Sequence, residues 1–430
     1  MIIYTVQKGD SLYSIARRYG VSWQSIAQDN LLADPSALVV GQTLTILQPE
    51  TTYTVRPGDT LYSIAQSLGV SVNQLFRNNI ILGGTTDIRP GQILNVQLPS
   101  PTRGSMSVNG YAYPFIDRAT LMRALPYLTY LTIFTYGIRP DGSLIEPEDG
   151  PLIDVARMYG VAPVMHLSTL TEQGRFSNAL ARQILNDATL RARVIDNVRQ
   201  VLSRKPYVGV DVDFEYVGGE NADAYAAFLR QMREELEPLG YQVWVALAPK
   251  VRGNQEGILY EGHDYAALGD IADRSLLMTY EWGYTYGPPL AVSPINQVRR
   301  VLDYGVSVIS PEKIFLGVPN YGYDWTLPYV AGQSRARSLG NVEATELAWQ
   351  QKAAISFDET AQAPTFRYYV RNGGSTEHEV WFEDARSVQS MLSLVPEYGL
   401  YGIGIWNIMR PFPQMWQVLN SEYSINKVLQ

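Results

Sequence analysis

A tandem repeat at the N-terminal end limits the folds open to this 430-residue chain more than any other feature. Residues 4–16 occur again almost unchanged at 53–65, and the register continues to Gly-Gln pairs at 41–42 and 91–92. In each copy Tyr-Thr-Val predicts a short strand, Gly-Asp a turn, and the next apolar residues recur at helical spacing. A serine then caps a second helix before the chain returns to a strand after Gly-Gln. Residues 1–48 and 49–98 are therefore predicted to be two small βααβ modules.

The longer remainder of the chain alternates strand-like and helix-like segments. Residues 99–105 are rich in Pro and Ser and predict a linker. Predicted strands lie at 130–136, 161–167, 208–215, 243–247, 275–280, 314–318 and 402–406, with helices such as 178–202 and 222–236 between them. Seven or eight such repeats over 106–430 favour an α/β fold of the (β/α)8 TIM-barrel type over a doubly wound sheet. The alternation breaks at about 335–380, which predicts a small α+β insertion.

Composition excludes several classes of function. The net charge of −8 argues against nucleic acid and against an anionic membrane as the main partner. There is no cysteine, so disulfides, thiolate metal sites and cysteine nucleophiles are excluded. We expect neither a signal peptide nor membrane insertion, no cofactor, and a monomer. The 29 Tyr and 8 Trp fill the core, and they also suit sugars, whose apolar faces stack on aromatic rings.

Three carboxylates alternate with apolar residues in the predicted strand at 208–215. Because successive strand side chains point to opposite faces, Asp211, Asp213 and Glu215 share one face, and Val, Val and Phe share the other. In a barrel the apolar face packs on helices, so the carboxylates point inward and climb toward the C-terminal mouth, where barrel enzymes hold catalytic groups. Close carboxylates repel, which raises at least one pKa. A metal site and an exposed edge strand are the alternatives to acid/base chemistry, which we favour because the three histidines are scattered.

Two families share these motifs. The pattern Tyr-x-Val-x-x-Gly-Asp-[Ser/Thr]-Leu-x-x-Ile-Ala, followed by Asn and Gly-Gln-x-Leu, resembles the LysM module in both repeats. That resemblance implies binding to N-acetylglucosamine-containing glycans. Asp-x-Asp-x-Glu at the end of a strand resembles the signature of glycoside hydrolase family 18, the chitinase-like barrels. Met278, Tyr280 and Glu281 resemble that family's Met-x-Tyr-Asp strand, and Trp406 resembles its strand-eight tryptophan.

The family 18 resemblance implies substrate-assisted hydrolysis with retention of configuration, an exception to the usual two-carboxylate scheme. Glu215 would protonate the glycosidic oxygen, and the substrate's own acetamido oxygen would be the nucleophile. Asp213 and Tyr280 would orient the acetamido group as an oxazolinium intermediate forms, and Asp211 would share a proton with Asp213. Trp406 would form the floor of the subsite for the reacting sugar.

Further residues are predicted to bind substrate, and two positions depart from the family pattern. Met278, Glu281 and Trp282 join Trp406 as predicted substrate-binding residues. Val208 stands where the family has another Asp, so Asp211 would lose an acidic partner. Glu281 stands where the family has Asp, which lengthens that side chain by one methylene. Neither departure removes Asp213 or Glu215, so activity is expected. The loop aromatics Trp282, Tyr284, Tyr286 and Trp325 are candidates to line the active face.

The resemblances of the modules and of the barrel both imply a polymer that contains N-acetylglucosamine. Together the modules and the barrel resemble the bacterial spore cortex-lytic N-acetylglucosaminidases, which implies a spore-associated enzyme that cleaves the β-1,4 bond after N-acetylglucosamine in cortex peptidoglycan or its fragments. Two modest binding sites on one chain would hold a repeating polymer with avidity. A chitinase or chitooligosaccharide hydrolase is the first alternative, and a non-catalytic glycan-binding protein is the second.

Overall fold

The computed structural model describes residues 1–170, 176–371 and 375–429. Among these residues, no helix combines the length and the apolar character needed to cross a membrane. The first module contains β1 (Ile2–Thr5), α1 (Leu12–Tyr19), α2 (Trp23–Asp29) and β2 (Thr43–Ile46). The second contains β3 (Thr51–Thr54), α3 (Leu61–Leu68), α4 (Val72–Asn78) and β4 (Ile93–Gln97). In each module the two strands pair antiparallel, which confirms the βααβ prediction.

The local signals of the repeat explain why its helices begin and end where they do. Ser11 and Thr60 each accept a hydrogen bond from the third backbone N–H of the following helix, in a reciprocal capping box. Gly20 and Gly69 end the two helices in the left-handed conformation that glycine adopts without strain. The repeated sequence therefore encodes repeated caps as well as a repeated apolar face.

The remaining elements follow in chain order. They are β5 (Ser105–Ala112), α5 (Arg118–Ala124), β6 (Tyr130–Ile138), β7 (Leu144–Ile145), α6 (Gly150–Met158), β8 (Ala162–Ser168), α7 (Asn178–Asn186), α8 (Ala188–Arg204), β9 (Gly209–Asp213), α9 (Ala222–Leu236), β10 (Gln242–Leu247), α10 (Tyr265–Ile271), β11 (Arg274–Leu277), α11 (Ile295–Val308) and β12 (Ile314–Pro319). After these come β13 (Gly322–Thr326), β14 (Arg337–Leu339), α12 (Asn341–Gln350), β15 (Ser356–Asp358), β16 (Ala363–Arg371), β17 (Ser375–Trp381), α13 (Ala385–Tyr398), β18 (Gly402–Trp406), α14 (Pro413–Glu422) and β19 (Ser424–Ile425).

Eight of these strands pair in parallel and close into a barrel. The order is β5, β6, β8, β9, β10, β11, β12 and β18, and β18 pairs back with β5. This confirms the TIM barrel. The sequence pattern did not single out β5, which begins inside the predicted linker. The predicted helix at 178–202 is two helices, because the Asp187 side chain caps a new helix by accepting from two backbone N–H groups.

The insertion is an antiparallel sheet of β13, β14, β15, β16 and β17 with α12 packed on it. It begins at Gly322, shortly after β12, whereas the alternation of predicted strands and helices breaks only at about 335. The difference arises because β13 is rich in aromatic residues and looks like a continuation of the barrel pattern.

Both N-terminal modules pack directly on the barrel. The first is joined to the insertion by a hydrogen bond of 2.9 Å from the Ile355 backbone N–H to the Val40 carbonyl. The second shares the main hydrophobic core of the barrel, with the rings of Phe76 and Tyr159 centred 5.7 Å apart. The segment between module and barrel is also held, since the Ser424 backbone N–H donates to the Gly104 carbonyl over 2.9 Å.

Candidate active site

The three carboxylates of β9 rise along the inside of the barrel. β9 is hydrogen-bonded on both sides, to β8 and β10, so it is not an edge strand. The intervening valines and Phe214 join the cluster between the strands and the helices, and Asp211 and Asp213 are buried in the barrel interior. The strand ends at Asp213, and Glu215 follows at the C-terminal mouth. The alternation of the sequence therefore places the row as predicted.

A cavity of about 470 Å³ opens at this mouth. The sequence-predicted residues that line it are Asp213, Glu215, Met278, Tyr280, Glu281 and Trp406. Asp211 lies one step deeper. Trp282 instead lines an adjoining depression, which shares Tyr280 and Glu281 with the cavity.

Burial disfavours the charged forms of all three carboxylates. Burial, with a smaller effect from the negative charges of Asp213 and Glu281, raises the pKa of Glu215 to about 8. Burial also raises the pKa of Asp213 to about 7 and that of Asp211 to about 6. Since Glu215 and Asp213 titrate together, these protons belong to the group of carboxylates rather than to one residue. A protonated carboxyl near neutral pH is what a general acid requires.

Asp211 and Asp213 contact partners that the sequence motif did not reveal. The Tyr111 hydroxyl donates a hydrogen bond of 2.7 Å to Asp211 Oδ2. His166 Nε2 lies 3.4 Å from Asp213 Oδ2, while its Nδ1 is 2.7 Å from the Thr135 hydroxyl. Burial lowers the pKa of His166 to about 4, so the ring is neutral at pH 7. Val208, in the place of the family's further Asp, packs among the apolar side chains of the barrel interior.

Glu281 is held at the rim by two tyrosines. Its Oε1 accepts hydrogen bonds of 2.5 Å from the Tyr321 hydroxyl and 3.0 Å from the Tyr323 hydroxyl. These bonds lower the pKa of Glu281, but burial has the larger effect and raises it. The backbone of Glu281 is left-handed at φ 67°, a conformation that few residues other than glycine adopt. The longer side chain at this position therefore has dedicated partners.

Aromatic rings surround the indole of Trp406. Its ring centre lies 5.2 Å from that of Phe134, 5.7 Å from Tyr111 and 6.1 Å from Tyr113. Phe134 and Tyr113 are in contact at 4.8 Å. Rings packed this closely hold one another in place, so the cavity has a rigid apolar wall.

Other sequence-predicted residues have different surroundings. Trp325 is buried, and its indole N–H donates to the Gly287 carbonyl over 2.8 Å, so the prediction that it lines the active face is wrong. Tyr284 lines the cavity, and Tyr286 is exposed nearby. His263 hydrogen-bonds the Phe214 carbonyl over 3.0 Å, which supports the chain next to Glu215.

The metal alternative finds no support in the geometry. Among the described residues, no group of three or more His, Asp or Glu side chains is arranged to hold a metal ion. Asp211 Oδ1 and Asp213 Oδ1 are buried, and neither atom has a hydrogen-bond partner among the described residues. The site is therefore a set of carboxyl groups in an aromatic cavity.

Comparisons with known proteins agree with this geometry. Glycosyl hydrolases family 18 matches residues 168–410, and the LysM domain matches 4–47 and 53–97. The chain is 41% identical over 433 aligned positions to the cortical fragment-lytic enzyme of Bacillus subtilis, covering 99% of each.

Solved structures extend the comparison. The spore cortex-lytic enzyme SleL of Bacillus megaterium superposes with a TM-score of 0.83 at 37% identity, covering 99% of both chains. A chitinase of Chromobacterium violaceum, at 23% identity and a TM-score of 0.68 over 74% of this chain and 99% of the chitinase, shares the fold. The chain is therefore a member of glycosyl hydrolases family 18 that carries two LysM domains.

Proposed function

We propose that this protein hydrolyses the β-1,4 bond after N-acetylglucosamine in spore cortex peptidoglycan or its fragments, and that it acts at the spore. The observation that carries the proposal is the inward row of Asp211, Asp213 and Glu215 at the mouth of an aromatic cavity. No gain in stability explains two buried carboxyl groups in the barrel interior and a third, half-buried, at its mouth, because a barrel filled for stability alone would carry apolar side chains there. Full-length similarity to cortical fragment-lytic enzymes supports cortex as the source of the substrate.

In the proposed reaction Glu215 is the general acid. Its raised pKa keeps the carboxyl protonated near neutral pH, so it donates a proton to the glycosidic oxygen as the bond to the leaving sugar breaks. The acetamido oxygen of the same N-acetylglucosamine attacks the anomeric carbon and forms the oxazolinium ion. Water then opens this ring, and Glu215, now ionised, accepts the proton from that water. Two displacements at one carbon retain the configuration.

The neighbours of Glu215 bind and orient the acetamido group. Asp213 lines the cavity next to Glu215, and its charge stabilises the positive oxazolinium. The Tyr280 hydroxyl donates a hydrogen bond to the acetamido oxygen. Asp211 shares a proton with Asp213 and is itself held by Tyr111. Trp406 stacks on the apolar face of the sugar.

A second observation favours peptidoglycan over chitin. Arg252 and Arg300 line the depression that adjoins the catalytic cavity through Tyr280 and Glu281. Peptidoglycan carries carboxylates on its peptides, whereas chitin has no anionic group. Guanidinium groups bind carboxylates through paired hydrogen bonds, so these two arginines are placed to accept the muramyl side of the scissile bond.

The test is a parallel digestion of purified spore cortex and chitin oligomers, with new reducing ends identified by mass spectrometry. We expect new reducing N-acetylglucosamine ends from cortex. Glu215→Gln should lower the rate by about 10²–10⁴-fold, the usual contribution of a positioned acid, because the amide has no proton to donate. The control is Glu256→Gln, which removes an exposed carboxylate from the loop after β10 and should keep the full rate. Cleavage of chitin alone, or an active Glu215→Gln enzyme, would contradict the proposal.

A further inference from the structure

A second cleft lies between the first LysM module and the barrel. It has a volume of about 320 Å³ and shares no lining residue with the catalytic cavity. One wall is the segment at 30–37 of the module, and the opposite wall is α12 of the insertion. The residues before α13 and at the start of α14 form the base. We call it the interdomain cleft.

The two walls of the interdomain cleft are fixed relative to each other. Gln414 bonds Thr43 twice, by accepting from its hydroxyl over 2.9 Å and by donating to its carbonyl over 2.7 Å. Gln417 accepts from the Thr45 hydroxyl and donates to the Asp29 carbonyl. These four side-chain bonds, of which the two from Gln417 are buried, hold the module in one orientation. The cleft is therefore a preformed feature, as binding sites for small ligands usually are.

The chemistry of the cleft suits a neutral sugar. Trp349 on α12 leaves 45% of its surface exposed there, as a flat apolar platform. Glu383 is buried at the base, and its Oε1 contacts no hydrogen-bond partner among the described residues. An unpaired buried oxygen is unfavourable unless something binds it. The lining residues, all within the described part of the chain, include no Lys or Arg, whereas Asp34 and Glu346 are acidic. Acidic side chains repel carboxylates, which excludes anionic segments of a wall polymer.

The corresponding part of the second module has different surroundings, although its sequence is a repeat of the first. Its corresponding segment packs on the barrel, where the Tyr159 hydroxyl donates to the Gly84 carbonyl. A Cβ added at Gly84 would lie 2.2 Å from the Met122 carbonyl oxygen, so the contact is between backbones. Leu82 is only 5% exposed. The barrel therefore covers part of this segment in the second module, although Ile81 remains exposed.

We propose that the first LysM module and α12 together bind one N-acetylglucosamine segment of a glycan in the interdomain cleft, and that the second LysM module serves as a docking element. Trp349 stacks on the sugar ring, and Glu383 hydrogen-bonds a hydroxyl or the acetamido group. The site is separate from the catalytic cavity and does not depend on hydrolysis.

The test uses the full-length Glu215→Gln protein and a peptide-free N-acetylglucosamine hexamer in calorimetric titration. We expect two sites per chain, one in each cavity. Adding Trp349→Ala, or Ala33→Arg to obstruct the opposite wall, should weaken one site at least about tenfold and leave the other unchanged. Tyr369→Ala removes an exposed aromatic from the same insertion, away from the cleft, and is the matched control.

Kinetics separate this proposal from the catalytic one. With Glu215 intact, Trp349→Ala and Ala33→Arg should keep kcat/KM for short soluble fragments but bind less to insoluble cortex. Two unaltered sites in both cleft variants would overturn the proposal, and so would an equal loss in Tyr369→Ala. Failure of the catalytic proposal would appear instead as a lack of cortex cleavage, with the cleft titration unaffected.

Discussion

The repeat supplies its own control for the docking of the first module. Gly41 and Gly91 occupy equivalent positions with φ values of 87° and 86°. Each backbone N–H donates to the equivalent valine carbonyl, over 2.9 Å to Val6 and 2.8 Å to Val55. A Cβ at Gly91 would meet nothing within 4 Å, whereas at Gly41 it would lie 1.8 Å from the Ile355 carbonyl oxygen. The same substitution by alanine therefore tests two different environments.

The magnitude follows from these contacts. In both variants the left-handed backbone strains an alanine by about 1–2 kcal/mol. Relief of the contact at Gly41 separates the module from the insertion by more than an ångström. That movement breaks the Ile355-to-Val40 bond of 2.9 Å and the Arg386 bond of 3.3 Å to the Gly41 carbonyl. At about 0.5–1.5 kcal/mol each, these losses add about 1–3 kcal/mol to Gly41→Ala.

The assay is the unfolding free energy of both variants, together with the rate at which a protease cleaves the chain near the first module. We expect Gly41→Ala to lower the free energy of unfolding by about 2–5 kcal/mol and Gly91→Ala by about 1–2 kcal/mol. Gly41→Ala should also speed cleavage, because the released module exposes its connecting segments. Equal losses and equal cleavage rates in the two variants would refute the docked arrangement.

Two further predictions concern titrating groups. The reaction requires protonated Glu215, so kcat/KM for soluble fragments should fall as pH rises through about 8. Glu281→Gln removes a charge that raises the pKa of Glu215 and should shift this fall to lower pH. A fall in kcat/KM near the pKa of a free carboxyl group would contradict the assignment of Glu215 as the acid. Burial raises the pKa of Asp29 to about 7, so the native state holds this proton more tightly than the unfolded state does, and the contribution of Asp29 to stability declines as pH rises from about 4 to 7. Asp29→Asn, which copies Asn78 of the second repeat, should be about 2–4 kcal/mol more stable than wild type at pH 8 and equally stable at pH 4. The same difference in stability at both pH values would contradict ionisation of Asp29 as its cause.

The sequence predicted those parts of the molecule that depend on local periodicity. Alternation along β9 placed Asp211 and Asp213 inside the barrel, and repeated Gly-Asp turns predicted both modules. These features succeed because each is decided by residues within a few positions of one another.

The partners of the site residues could not be predicted in this way. Tyr111 reaches Asp211 from a strand one hundred positions earlier, and Tyr321 and Tyr323 reach Glu281 from the start of the insertion. No local pattern distinguishes these tyrosines from the many that pack the core. Only closure of the barrel brings them to the carboxylates, because contacts across a sheet depend on register and strand order.

The docked modules change how tethering contributes to catalysis. A module on a flexible linker increases the local concentration of polymer in any direction within its reach. Here the Gln414 and Gln417 bonds fix the first module, and a core shared with the barrel fixes the second. A glycan bound in the interdomain cleft therefore leaves it in one direction, and only chains whose path from there reaches the catalytic cavity gain from both sites. Rigid docking thus selects polymer geometry as well as increasing polymer concentration, so stiff cross-linked cortex and short soluble fragments should respond differently to loss of the cleft.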